Sequence, residues 1–154
     1  MVQSATGQIE SDIREHFVSS DQVVSMMQTL FESLLGEALK HTESAPPATE
    51  SWIRSKIEIT GEEHCFVQVS ADPKMAYRIA STMFETPEDE IDPSEVGDAL
   101  CEVVNVIGGN IKGAIDRSCD LSLPTVDDGE PVVNENSIVC DLENDNSFLK
   151  VIVI

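Results

Sequence analysis

Apolar positions recur at helical spacing twice along this chain and alternate elsewhere, and the two periods divide it into elements. From Ser20, "SDQVVSMMQTLFESLLGEALK" places Val23, Met27, Leu30, Leu34 and Ala38 on one stripe, widened by Phe31, Leu35 and Leu39. This predicts a long amphipathic helix capped by Ser20 or Asp21. The Met26-Met27 pair reads as core filler. "HTESAPPATES", His41 to Ser51, is a polar loop whose paired prolines end the helix. "WIRSKIEIT" then alternates, with Ile53, Ile57 and Ile59 facing one way and Arg54, Lys56 and Glu58 the other. "CFVQVS" repeats the pattern after the turn "GEEH", so two adjacent antiparallel strands are expected. "ADPKMAYRIASTMF" predicts a short helix with Asp72 as cap and Pro73 where a missing donor does no harm.

A second long helix is predicted from Pro93 or Ser94 to about Asp116 or Arg117. Val96, Leu100, Val103, Val104, Ile107, Ile111, Ala114 and Ile115 form its apolar stripe. Glu95, Asp98, Glu102, Asn105, Gly109, Lys112 and Asp116 recur on the other side at steps of three and four. Three strands follow, in "CDLSLPTVDDGEP", "NSIVCDLE" and "SFLKVIVI", the last apolar enough to be covered on both sides. Each long helix precedes a group of strands, a hint of internal duplication. The expected class is α+β: a mixed, mostly antiparallel sheet packed against two long helices, with a third short helix. Residues 20–154 are read as a single domain, and residues 1–19 as a partly helical extension.

Charge narrows the partners. Aspartate and glutamate outnumber lysine and arginine 29 to 9, a formal charge of −20 over 154 residues, so nucleic acid and anionic membrane are poor partners. No stretch approaches the length of a membrane span and the N-terminus lacks a basic start and apolar signal core, so a cytoplasmic location is expected. Cys65, Cys101, Cys119 and Cys140 are widely spaced amid apolar sequence, which reads as free thiols rather than disulfides or a zinc site. His64-Cys65 offers two metal ligands, but no second pair has suitable spacing, and no metal site is expected in this chain.

The second helix holds the candidate chemistry. In "DALCEVVNVIGGNIKGAID" Glu102 and Asn105 share the wet face with Gly109, and an interior glycine costs a helix roughly 0.5–1 kcal/mol relative to alanine. The glycines therefore imply a close packing partner or a close visitor. Gly108, rotated toward the core, is expected to admit another helix; Gly113 has no assigned role. The segments Glu102-x-x-Asn105, Gly109-Asn110-Ile111-Lys112 and Leu121-Ser122-Leu123-Pro124-Thr125-Val126 occur in this order. Together they resemble the signature of the CheX branch of the CheC/CheX/FliY chemotaxis phosphatases.

The resemblance implies a CheC-like fold and hydrolysis of the aspartyl phosphate of a CheY-like response regulator. Asn105 would position the attacking water and Glu102 would engage the receiver's active site, with Asp98, Gly109 and Lys112 as the partner-binding strip. It also implies a homodimer, and magnesium carried by the receiver with no cofactor in this chain. The corresponding part of the first helix, "FESLLGEALK", holds Glu32-Ser33-Leu34-Leu35 without an asparagine, so a single site is expected, as in the CheX branch. No motor-assembly segment of the FliY kind is visible. The alternative is a non-catalytic interaction module of the same fold that binds a signalling or chemotaxis protein.

Overall fold

The apolar stripes identified above converge on one side of a seven-stranded sheet in a computed structural model of the chain, which describes residues 18–43, 52–62, 64–115 and 118–154. The elements run α1 (Ser20–Leu35), β1 (Lys40–Thr42), β2 (Ile53–Gly61), β3 (Cys65–Ala71), α2 (Pro73–Phe84), a short 3-10 turn (Glu88–Glu90), α3 (Pro93–Ala114), β4 (Cys119–Leu121), β5 (Thr125–Asp128), β6 (Ile138–Asn144) and β7 (Ser147–Val153). All strand pairings are antiparallel. The order across the sheet is β1-β6-β7-β3-β2-β4, with β5 also paired to β2.

That order reads the same from either end if β1, β2 and β3 exchange with β4, β6 and β7, and α1 lies over β6 much as α3 lies over β2. The helix-then-strands repetition seen in the sequence is thus matched by an approximate two-fold in the topology. Residues 1–17, most of the expected N-terminal extension, lie outside the described residues. Val18 is buried in the core, so the packed unit begins before residue 20.

Local signals set the helix ends, with two departures from expectation. Ser19, not Ser20 or Asp21, caps α1: its hydroxyl accepts from the Gln22 amide while the Gln22 side chain accepts from the Ser19 amide. The helix also stops at Leu35 rather than running on to Lys40, because Gly36 adopts the left-handed conformation (φ 68°) and its amide donates back to Glu32 O. Leu39, beyond the stop, is still buried, which is how it extended the stripe in the sequence. His41 and Thr42, read as loop, form β1 against β6. Asp72 caps α2 as expected, one carboxylate oxygen accepting from Met75 N and the other from Phe148 N, which ties the helix to β7.

The core lies between the helices and the sheet. Val23, Met27 and Phe31 of α1, Met75 and Ile79 of α2, and Val96, Leu100, Val103, Ile107 and Ile111 of α3 pack on Ile57, Ile59, Val67, Val69, Leu149 and Val151. Ile152, on the opposite face of β7, is also fully buried, so β7 is covered on both sides at that point. The segment after β5 crosses that outer face. Gln68 Nε2 donates to Val132 O and its Oε1 accepts from Val132 N, while Arg54 forks onto Asp127 and donates to Glu130 O.

Candidate active site

The N-terminus of α3 is fixed by a reciprocal cap. Asp92 accepts from Ser94 N, Glu95 reaches back to the Asp92 amide, and Pro93 occupies the first helical position. The Ser94 hydroxyl and the helix amides hold the Asp92 carboxyl below its ordinary range. From this start, α3 lies across β2, β4 and β5 with its apolar stripe on the sheet.

The opposite side of α3 is a solvent-facing strip. Asp98, Glu102 and Asn105 are exposed, and Gly109 and Lys112 are partly so. Asp116, expected to extend the strip, lies outside the described residues. Glu102 and Asn105 are one helical turn apart, about 4.5 Å along the axis. Neither side chain makes a hydrogen bond or ion pair with another described residue, so both are available to a visitor. Cys101 lies between the strip and the sheet, its thiol pushed up by burial and by the nearby Asp98 carboxylate. It is protonated at neutral pH and no candidate nucleophile.

The two central glycines differ sharply. A methyl group at Gly108 would meet Ile57 Cγ2 at 2.8 Å and Leu121 Cδ2 at 3.4 Å, whereas one at Gly109 would meet nothing within 4 Å. Gly108 does admit a close partner, but that partner is the sheet, through β2 and β4, and not another helix. The sheet lies there because the apolar stripe of α3 faces it. Gly109 leaves the strip bare one turn beyond Asn105. Gly113 likewise faces open space.

Two features flank the strip. On one side α1 and α3 enclose a groove of about 390 Å³ lined by Ser25, Met26, Thr29, Leu30, Val106 and Asn110. On the other, the β4–β5 edge carries Leu123, 87% exposed, which the sequence reading did not single out. Leu121 and Val126 both face α3, although strict alternation would send them to opposite faces, so the pattern of the sequence does not reveal how Leu123 is placed. Among the described residues, no group of three or more histidine, cysteine, aspartate or glutamate side chains is arranged to hold a metal ion.

The family model for the chemotaxis phosphatase CheX matches residues 53–143, which include β2, β3 and the whole of α3. The chain belongs to the CheX family. CheX-like proteins also share its fold. A CheX protein from Vibrio vulnificus superposes with a TM-score of 0.67 at 16% identity, covering 90% of this chain and 96% of its own. A CheC-like superfamily protein from Shewanella sp. PV-4 gives 0.69 at 14% identity, over 90% and 97%. The CheX–CheY–BeF3–Mg2+ complex from Borrelia burgdorferi gives 0.67 at 18% identity, over 90% and 94%. No curated protein matches the sequence. The CheC-like architecture expected from the motifs is therefore the architecture of the chain, and in this chain the long helix α3 presents Glu102 and Asn105 to solvent.

Proposed function

We propose that this CheX-family protein hydrolyses the aspartyl phosphate of a CheY-like receiver domain, using Asn105 to place the attacking water and Glu102 to fix the receiver. An acyl phosphate is already reactive, so the catalyst's main task is alignment. The Asn105 carboxamide oxygen accepts a hydrogen bond from water and directs its lone pair at phosphorus. The water oxygen bonds to phosphorus, the bond from phosphorus to the aspartyl oxygen breaks, and carboxylate and inorganic phosphate leave. An uncharged amide does this beside an anion without repelling it. Glu102, one turn earlier, offers a carboxylate to a lysine at the receiver's active site, a charge-assisted bond that sets the angle of approach.

What carries this reading is the pairing of an exposed, unengaged Glu102 and Asn105 on one face of α3 with a bare Gly109 beside them. Asp98 and Lys112 continue the same strip as partner contacts. The complex of a CheX protein with CheY, BeF3 and Mg2+ in the Borrelia structure supports a receiver as the partner and magnesium as the receiver's own. A homodimer belongs to this reading too.

The test is direct. Candidate receivers phosphorylated with a small phosphodonor are mixed with the protein, and phosphate release is timed. Faster decay of at least one receiver is expected, slowed by Glu102→Ala chiefly through weaker docking. Decay unchanged for every receiver that binds would leave an interaction module in place of an enzyme.

A further inference from the structure

Pairing along the outer side of β2 is interrupted at one place. Ile59 faces Leu121 and Lys56 faces Thr125, so two residues of β2, Ile57 and Glu58, oppose three on the edge, Ser122, Leu123 and Pro124. The extra residue makes a bulge, a device that re-aims a side chain and is frequent beside functional sites. It is held firmly. Ser122 N donates to Glu58 O at 2.9 Å, and the Ser122 hydroxyl accepts from Glu58 N at 2.9 Å. Pro124 fixes its own φ and restricts the backbone of Leu123 before it.

The bulge has a definite place along α3. Val126 Cγ1 lies 3.1 Å from where a methyl group on Gly97 would be, and Leu121 Cδ2 lies 3.4 Å from its counterpart on Gly108. Those two helix positions are about 16 Å apart, and so are the two strand positions. The edge therefore runs antiparallel to α3, and Leu123 falls level with Val103 and Val104, between Glu102 and Asn105 along the axis. An 87% exposed leucine on a rigid bulge, beside a strip of free polar side chains, retains little conformational freedom to lose on binding.

We propose that Leu123 is an apolar anchor for the receiver, seated on the partner while Glu102 and Asn105 address its phosphoryl group. This rests on α3 being the receiver-facing surface. A receiver fits this edge better than a second copy of the chain does. The bulge and Pro124 interrupt any strand that would pair there, and Asp128, exposed on the same edge, would confront its own charge on a protein of net −20. The edge is also continuous with the strip at the level of Asn105.

Leu123→Ala and Leu123→Ser in the full chain test the assignment, with kcat and KM measured on a phosphorylated receiver and binding measured on the same receiver with magnesium and beryllium fluoride. The expected result for Leu123→Ser is a KM and Kd raised about 10-fold, with kcat within about twofold of wild type and an unchanged melting temperature. Leu123→Ala falls between. Unchanged KM and Kd in a preparation that Asn105→Ala inactivates would overturn the anchor and leave the α3 site standing. A wild-type chain that neither binds nor dephosphorylates a receiver would overturn both. If light scattering shows Leu123→Ser lowering the oligomer mass, the side chain serves the contact between copies and the proposal is wrong.

Discussion

Gly108 and Gly109 are adjacent in sequence and opposite in circumstance, and replacing each by alanine isolates one physical term. Both substitutions bring the same gain in helix propensity, about 1 kcal/mol, because both positions are interior to α3. That gain cancels in the comparison. What remains is the overlap at Gly108, where the new methyl would sit 2.8 Å from Ile57 Cγ2. This atom branches next to the backbone of a buried strand residue and cannot swing away as the end of a longer side chain would. Relief requires a shift of α3 or β2, at a cost of about 1–3 kcal/mol. Gly109→Ala should therefore be more stable than Gly108→Ala by about 1–3 kcal/mol, with wild type between them or close to Gly108→Ala. A protein of this size changes melting temperature by about 2–4 °C for each kcal/mol. Urea denaturation followed by helical circular dichroism resolves the gap. Gly109→Leu should stay folded but raise KM for the receiver, whereas Gly108→Leu should lose more stability than Gly108→Ala. Equal stabilities for the two alanine variants, or a less stable Gly109→Ala, would refute this packing account.

Asp72→Ala should cost about 2 kcal/mol, because it leaves two backbone amides, of Met75 and Phe148, without their acceptor; urea titration reads it, and Asp72→Asn should recover part of the loss. Stability should also fall at both ends of the pH range. Asp92, held low by its Ser94 hydrogen bond, and Asp127, held low by the Arg54 guanidinium, favour the folded state at neutral pH. Their contribution is lost as pH falls through their depressed folded values. Cys140 is pushed up to about 11 by burial, with Asp141 and Asp21 adding to the effect. The unfolded thiol therefore ionises first, and stability declines as pH rises from about 9 toward 11. Cys140→Ala should flatten the alkaline side of a pH-melting profile and leave the acid side alone.

Most of the elements were legible because their signals are local. Asp72-Pro73 and Asp92-Pro93 announce helix starts, and the alternation of Ile57 and Ile59 with Lys56 and Glu58 announces a strand. The departures have tertiary causes. Leu39 carries the apolar period of α1 past its true end because the chain after Gly36 still returns to the core. β1 has only three residues and exists because β6 offers an edge to pair with. The partner of Gly108 lies across the core, and nothing on its own helix distinguishes a neighbouring strand from a neighbouring helix. On α3, the shared solvent-facing side of Glu102, Asn105 and Gly109 was legible from their spacing. Leu123 was not, because its exposure depends on a register shift visible only when β4 and β5 are paired with β2.

The assignment of chemistry to α3 stands or falls on Asn105. The deciding measurement is the decay of a phosphorylated receiver with wild type and with Asn105→Ala, alongside a melt and a binding isotherm for the same preparations. Asn105 is exposed, so its truncation opens no cavity and leaves the fold unchanged. Normal melting, binding within a few-fold of wild type and a loss of phosphatase rate of about 100-fold or more are expected as the water loses its alignment. An Asn105→Ala protein that is folded, binds the receiver and still dephosphorylates it at the wild-type rate would contradict the account.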